Sequence, residues 1–233
     1  MTVARSSNQA GRRSSRPIAD ALMTPSAPAQ KTADRLVNAC IEIIDEVGWS
    51  HVELAAVTRA CSVSTPAIYS HFTGKEELLQ AALFEVSRRM QIEVSLRTHT
   101  ALRTHTALRT HKALPTHTET DPKHLLLGAA EQIVDAAVSH PHLLEFLLFS
   151  PLSLDALRDT SSRASAFPFL AVVQDAIDLL LPQSTEKLRQ QIFLAAWSAI
   201  QGYSQLVASG VVQHNPDFLT LTLNALLTMK EEE

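Results

Sequence analysis

The chain has 233 residues, with 20 lysines and arginines against 24 aspartates and glutamates, and a formal net charge of −4. This balance excludes binding to nucleic acid through overall charge alone, so the distribution of charge matters more than its sum. No apolar run approaches the ~18 residues that span a bilayer, and the two cysteines argue against a disulfide framework and favour a reducing cytoplasm.

The composition predicts an all-α fold. Hydrophobic residues make up 45% of the chain, enough for a sizeable core, and only 6 residues are glycine. Few segments alternate with the period of two that strands require, whereas Ala, Leu, Gln and Glu dominate segments with helical periodicity.

The first 30 residues are rich in Ser, Pro, Ala and Arg, and this composition predicts a flexible basic tail because too little apolar surface is present to offset ordering. Two interpretations stay open. In the first, the tail has no binding role: it is a solubilising leader or results from a start codon assigned too early. In the second, it is an arm that contacts DNA phosphates or the minor groove.

The next segment predicts four helices in succession. The first runs from Thr32 to a glycine C-cap at Gly48, with its apolar residues at helical spacing. Ser50 and Glu53 fit a capping box that starts the second helix near position 51. After a break at 61–63, the third helix is predicted to start with Ser64 as N-cap and Pro66 in its first turn, and to end near His71 and Phe72. A capping box of Thr73 and Glu76 then opens the fourth helix, which is long and runs through Met90.

A repeat of six residues follows at 97–118, in the form RTHTAL-RTHTAL-RTHKAL-PTHT. On an α-helix each repeat rotates the side chain by about 240°, so the four histidines point to different sides and do not converge on one metal ion. The favoured interpretation is a duplicated insert that lengthens a helix end or linker; loose metal or anion binding is the alternative. The histidines are His99, His105, His111 and His117.

The second half predicts six further helices whose ends coincide with prolines and capping residues. The longest is an amphipathic run that Gly210 closes. The predicted ranges are 122–139, 141–149, 153–163, 167–181, 185–209 and 216–229.

The short third helix and the tight break before it predict a helix-turn-helix. The break sets the third helix across the second, so its N-terminal residues can enter a major groove. Thr65 can hydrogen-bond a base, and the surfaces of Pro66 and Ala67 suit thymine methyl groups. Ser64 at the N-cap also belongs to the predicted DNA-binding set. The set is completed by groups that can contact phosphates, namely Tyr69, Ser70, His71 and Lys75.

Residues 32–83 resemble the DNA-binding domain of the TetR (tetracycline-repressor-like) transcriptional regulators. The motifs that carry the resemblance are Gly48-Trp49, Val57, Ala60, Val63-Ser64, Ile68-Tyr69, His71-Phe72 and Lys75-Glu76-Glu77-Leu78. In the second half, only the segments HPHLLEFLLF and AAWSAIQGYSQLVASG are similar to parts of the family's variable ligand-binding domain. After the tail at 1–30, the resemblance implies a DNA-binding domain at 31–76 and a domain at 77–233 that binds a small effector and forms a homodimer through its last two long helices.

Three departures from the family pattern stand out. Glu53 occupies a position that usually holds Thr or Ser, and a carboxylate there repels DNA unless the second helix begins on Ser50. Ser62 replaces a turn glycine, at a cost of about 1 kcal/mol or more if the backbone is left-handed, and Thr58 replaces an alanine. The segment Thr32–Lys75 carries three basic residues against five acidic ones.

Several residues have a purely structural alternative. Phe72 is interpreted as a core aromatic, and the two cysteines as small buried hydrophobes. Trp197 and Gln201 share one helical face and are candidate ligand-binding residues, with plain packing as the alternative. His140 and His142 flank a proline at a helix start and are expected to be a cap and surface pair.

The sequence therefore predicts a cytoplasmic, homodimeric transcriptional regulator that binds a palindromic operator and is released by a small, mostly apolar effector. It predicts no cofactor and no metal. An enzyme is disfavoured because no catalytic triad, paired carboxylates or phosphate-binding loop is present. The remaining alternative is a helical dimeric or metal-buffering protein that has lost DNA binding.

Overall fold

The structure is a computed structural model, which describes residues 32–109, 121–158 and 167–229. Every regular element within those ranges is helical, which confirms the all-α prediction. None of the helices in these ranges combines the length and the hydropathy that a bilayer crossing requires.

The N-terminal helices have the predicted order. After the first helix, Gly48 adopts φ 84°, a left-handed conformation that suits a glycine C-cap, and the chain enters a 3-10 turn at Trp49–His51. The α-helices are α1 (Thr32–Val47), α2 (Leu54–Ala60), α3 (Thr65–Ile68) and α4 (Lys75–Arg109).

The predicted capping box of Ser50 and Glu53 is wrong. The second helix begins at Leu54, with Glu53 as its N-cap residue and no side-chain capping bond. Because the 3-10 turn takes up Ser50, its hydroxyl lies 3.2 Å from Nδ1 of His51 and cannot reach the helix start. The carboxylate of Glu53 is therefore left exposed at the N-terminus of α2.

The second predicted box has the right threonine and the wrong acid. The backbone N and Oγ1 of Thr73 both donate to Oε2 of Glu77, at 2.6 and 2.7 Å, because α4 begins at Lys75, one residue later than a box of Thr73 and Glu76 requires. The backbone bond from Thr73, followed by the hydroxyl bond, lowers the pKa of Glu77. The prediction of Glu76 is thus wrong by one position.

Helix α3 is shorter than predicted. It ends at Ile68, with Tyr69 as the C-cap residue, whereas the sequence favoured an end near Phe72. Ser64 occupies the N-cap position with an extended backbone, but its hydroxyl makes no capping bond. Ser62 has φ 54°, so the left-handed backbone suspected from the missing glycine is present.

The C-terminal helices confirm the predicted ranges to within two residues at each described end. The end predicted at residue 163 for the third of these helices lies outside the described residues. The side chains of Asp121, Thr185 and Asn215 cap three of these helices. The helices are α5 (Pro122–Ser139), α6 (Pro141–Phe149), α7 (Pro151–Arg158), α8 (Pro168–Leu180), α9 (Glu186–Ala208) and α10 (Pro216–Leu227).

The six-residue repeat lengthens a helix, as expected for its first part. Helix α4 continues through residue 109, so the first two copies of the repeat are helical. The segments 1–31 and 110–120 and the side chains of 98–109 lie outside the described residues. The predictions for the basic tail and the repeat histidines therefore stay predictions. In the described part of the chain, no group of three His, Cys, Asp or Glu residues is placed to hold a metal ion.

One continuous hydrophobic core runs through both halves of the chain. Helix α5 lies at its centre, in contact with α4, α8, α9 and α10, while α1 packs against α4 and α6. Because α4 contacts both α1 and α5, the predicted domain boundary at 76/77 stays a prediction. Cys40 and Cys61 are buried, as expected, and burial raises the pKa of the Cys40 thiol to about 12.

Two histidines join the N-terminal helices to the rest of the molecule. His140 Nδ1 lies 2.6 Å from Oδ2 of Asp45, and His142 Nδ1 lies 2.9 Å from the Asp45 carbonyl oxygen, so both contact the last turn of α1. The expectation of a cap and surface pair is right only in part: His140 occupies the N-cap position of α6, but neither histidine lies on the open surface. The His140 side chain makes no capping bond to α6 and is only 13% exposed, because the α5–α6 turn packs against α1.

Candidate nucleic-acid interface

The start of α3 projects from the molecule, anchored by a single buried residue. Ile68 is 1% exposed and is the only buried residue of this four-residue helix, all of which the structure describes. Ser64, Thr65 and Pro66 are exposed, and Ala67 is half-buried. The left-handed backbone at Ser62 reverses the chain between α2 and α3, which presents the N-terminal residues of α3 outward.

The residues after α3 divide between core and surface. Tyr69 is 58% exposed, whereas Phe72 is 8% exposed, as expected for a core aromatic. Ser70 and His71 are exposed, and the Ser70 hydroxyl donates to the carbonyl of Ala67 at 2.7 Å. A polar edge of hydroxyl, phenol and imidazole groups thus flanks the small residues at the start of α3.

Lys75 lies in the first turn of α4, as predicted. Its Nζ donates to the carbonyl of Ser50 at 3.1 Å, which ties the start of α4 to the 3-10 turn and leaves further ammonium hydrogens for an anion. His51 is exposed in the same turn and was not singled out from the sequence. No local signal marked it, because only the contact between Lys75 and Ser50 places this turn beside the start of α4.

The charges around α3 are mixed. Arg59 on α2 and Glu53, the N-cap residue before it, are both exposed. The Arg35 guanidinium is used internally, since Nη2 donates to the Cys61 carbonyl at 2.6 Å and helps fix the turn before α3. Thr58, which replaces an alanine, is buried with its hydroxyl donating to the Ala55 carbonyl at 3.1 Å, so the substitution leaves its hydroxyl satisfied.

The two candidate ligand-binding residues of α9 separate in the structure. Trp197 stacks on Phe193, with ring centroids 6.0 Å apart, and borders an apolar cavity of about 20 Å³. Gln201 does not line that cavity. The lining comes from α5, α8, α9 and α10, and includes Ala129, Ile133, Val173, Phe193, Ile200 and Leu223.

Together, the all-helical fold and the exposed start of α3 define a helix-turn-helix protein. Residues 36–82 match the family model described as bacterial regulatory proteins, tetR family. The similarity to this family therefore covers the N-terminal segment that holds most of α1, all of α2 and α3, and the start of α4.

The curated relatives match over the same N-terminal region. The chain is 36% identical over 61 residues to the HTH-type transcriptional regulator UidR of Escherichia coli strain K12, which is 26% of this chain and 31% of that protein. It is 37% identical over 68 residues to the HTH-type transcriptional regulator SrpR of Pseudomonas putida, which is 29% of this chain and 31% of that protein. The chain thus spans about a third of the length of the curated relatives it matches.

Two solved structures share the fold along most of the chain. A putative TetR-family regulator from Vibrio parahaemolyticus aligns with TM-score 0.53 and 17% identity, covering 84% of this chain and 97% of that one. The TetR regulator SCO7222 from Streptomyces coelicolor aligns with TM-score 0.55 and 19% identity, covering 85% and 99%. At these identities the similarity shows the fold alone.

Proposed function

We propose that the chain is a DNA-binding transcriptional regulator that inserts the start of α3 into the major groove of an operator. The observation that carries this proposal is the exposure of Thr65 and Pro66 at the tip of a helix held only by Ile68. Side chains this small let the helix approach base edges closely. The names of the matched relatives, all regulators, support a non-enzymatic role.

The proposed contacts divide into base-reading and phosphate-binding groups. Thr65 hydrogen-bonds a base, and Pro66 and Ala67 contact thymine methyl groups, with Ser64 at the helix start. Tyr69, with Ser70, His71 and Lys75, binds phosphate oxygens and fixes the register of α3 on the duplex. Because phosphate contacts carry no sequence information, the two sets have different mutational signatures.

We propose that the protein acts as a homodimer through α9 and α10. These two helices pack on each other, and each exposes apolar side chains: Leu194 on α9, and Phe218 and Leu221 on α10, with Leu221 70% exposed. Gly202 of α9 is exposed, and nothing lies within 4 Å of a Cβ built there, so a second helix can approach closely. A two-fold dimer places two copies of α3 on the half-sites of a palindromic operator.

An effector that enters the C-terminal helices is proposed to release the operator. The cavity beside Trp197 lies between α5, α8, α9 and α10, and α5 leads directly into the turn that holds Asp45. A ligand that parts these helices shifts the position of α1 relative to the dimer axis, so the two α3 copies lose their groove spacing. Repression relieved by a mostly apolar effector is the form of regulation that this geometry favours.

The experiment that tests the proposal selects bound duplexes from random DNA with the purified protein and repeats the binding with variants. Tyr69→Phe is expected to weaken binding by about fivefold to tenfold on every sequence, the loss of one hydrogen bond to a charged group. Ser139→Ala is the control, because it removes an exposed hydroxyl at the end of α5, outside the proposed DNA-contacting set. Thr65→Val is expected to relax the selected sequence instead.

A second candidate is a helical dimeric protein that no longer binds DNA. The exposed carboxylate of Glu53 at the N-terminus of α2 favours it, because a carboxylate next to a DNA-binding helix repels phosphates. The same selection decides between the two. Enrichment of a palindrome supports the regulator, whereas no enrichment at low salt, with an intact dimer, supports the second candidate.

A further inference from the structure

One glutamine is buried between helices with both of its polar atoms unpaired. Gln132 of α5 is 0% exposed, and neither Oε1 nor Nε2 has a hydrogen-bond partner among the described residues. A buried amide without partners costs roughly 1–3 kcal/mol, so such a group calls for an explanation in ligand or solvent chemistry. The proposed regulatory contacts do not use Gln132.

The face of α5 that carries Gln132 lies against α4. Gly128, Gln132 and Asp135 follow one another at spacings of four and three, which places them on one helical face. A Cβ at Gly128 would lie 3.9 Å from Cγ1 of Val94, and Asp135 Oδ2 lies 3.7 Å from Nη2 of Arg97. Gln132 is therefore bracketed by two contacts to the same segment of α4.

A second unpaired donor lies in this interface. Nη1 of Arg97 is buried and has no hydrogen-bond partner among the described residues. The other guanidinium nitrogens of Arg97 make only loose ion pairs, 3.9 Å to Glu93 and 3.7 Å to Asp135. Two donors, Nε2–H and Nη1–H, and one acceptor, Oε1, thus stay available in a mostly apolar surrounding.

The apolar cavity adjoins this polar face. Ala129, which lines the cavity, lies three residues before Gln132 and is its neighbour on the surface of α5. The cavity holds about 20 Å³, so a larger apolar group enters only by displacing side chains such as Phe193 and Trp197. The polar group of one small amphipathic molecule would therefore lie at Gln132, and its apolar part would lie in the adjoining cavity.

The charge of the site favours a neutral ligand. One guanidinium, Arg97, faces two carboxylates, Glu93 and Asp135, so an anionic ligand would add a further negative charge. Burial raises the pKa of Asp135 despite the opposing effects of Arg97 and His214, so desolvation is the largest influence on this carboxyl. A carboxamide complements the groups present, since its oxygen accepts and its N–H donates.

We propose that the effector is a mostly apolar molecule with one neutral carboxamide-like group, which pairs with the amide of Gln132 and accepts from Nη1 of Arg97. This inference rests on the proposed function, because it names the class of effector for the same C-terminal domain. The unpaired amide is then a preformed recognition group, whose desolvation is compensated only when the ligand is bound.

The test compares benzamide, benzoate and toluene, which share one ring and differ in the head group, by titration calorimetry on the full-length protein. Emission of Trp197 in a Trp49→Phe background gives a second readout, since these are the two tryptophans of the chain. We expect benzamide to bind at least about tenfold tighter than benzoate, and Gln132→Met to weaken benzamide about tenfold while leaving toluene nearly unchanged.

Gln80→Met is the matched control, because Gln80 is exposed on α4, and it should alter none of the three affinities. Equal effects of Gln132→Met on benzamide and toluene, tighter binding of benzoate, or no binding of any probe up to its solubility limit would each overturn the inference.

If Gln132→Met does not fold, the wild-type protein still decides the question. Acetophenone has the carbonyl of benzamide without its N–H groups, and we expect it to bind several-fold more weakly because Oε1 of Gln132 stays unpaired. Equal affinities would refute the pairing. Binding of the selected DNA is measured on the same samples. If the protein binds DNA but the small-molecule probes do not behave as expected, only this inference is overturned. If the protein does not bind DNA, the proposed function is overturned.

Discussion

Helices α3 and α9 use their side chains in opposite ways. In α3 the residue that holds the fold, Ile68, points inward, and the residues proposed to bind DNA, such as Thr65, are exposed. In α9 the same residues hold the fold and line the proposed effector site, because Phe193 and Trp197 pack against the core and also border the cavity. Stability and function are therefore separable in the first region and joined in the second.

This difference has a physical consequence for regulation. A DNA-reading surface has to be rigid, so that its groups meet fixed positions on the duplex, and outward side chains on an anchored helix meet that need. An effector site has to change the molecule when it fills, and a small cavity whose lining is also the core couples occupancy to helix packing. Each region has the arrangement that its proposed task requires.

The largest expected effect comes from removing the anchor of α3. Ile68→Ala deletes a fully buried side chain and should lower the free energy of unfolding by about 2–5 kcal/mol, measured by urea denaturation. DNA binding should fall with it, because α3 has no other buried residue within its four described positions. Val138→Ala, at a residue that is 57% exposed, should change neither quantity by much. Unaltered stability of Ile68→Ala would contradict the inward placement of this residue.

The junction between the two regions gives the next largest effect. Asp45→Asn removes the charge that lies 2.6 Å from His140 while leaving the backbone contact to His142 intact. Because both side chains are less than a fifth exposed, we expect a loss of about 1–2 kcal/mol in the free energy of unfolding. Glu46→Gln, at the exposed neighbouring position, is the control. Equal stabilities of the two variants would show that this contact does not fasten α1.

A gain in stability without a change at the DNA-reading surface is expected from Ser62→Gly. Ser62 holds φ 54°, a left-handed backbone that costs a residue with a Cβ roughly 1 kcal/mol, so glycine should raise the free energy of unfolding by about that amount. Ser62→Ala removes the hydroxyl and keeps the Cβ, and it should bring no gain. A gain with alanine as well would assign the effect to the hydroxyl and not to the backbone.

The sequence predicts this fold well where the signals are local. Prolines and capping residues such as Asp121 and Asn215 act within one turn of the helix they start, and those helix starts are confirmed. The capping boxes were less predictable, since Ser50 and Glu76 satisfy the spacing but the backbone before the helix decides which side chain arrives. The length of α3 was overestimated for the same reason.

Contacts between distant segments could not be read from spacing. His140 and Asp45 are 95 residues apart, and nothing near either one marks the pair. Gln132 lies in an ordinary helical pattern, and only the packing of α5 on α4 shows that its amide is buried and unpaired. The exposure of the small residues at the start of α3 was predictable from the sequence, whereas the contact of Lys75 with Ser50 depends on the 3-10 turn.

The smallest expected effect concerns the charge next to the DNA-reading surface. Glu53→Ser supplies a hydroxyl at the N-cap of α2 and removes a carboxylate, so the free energy of unfolding should rise by roughly 0.5 kcal/mol or less, since the acid already interacts well with the helix N-terminus. The affinity for DNA should rise several-fold at low salt and less at high salt. Glu53→Gln removes the charge without a good cap, so equal gains in affinity from both variants assign the effect to charge. No gain from either variant would place Glu53 away from the phosphates and weaken the case that its carboxylate opposes DNA binding.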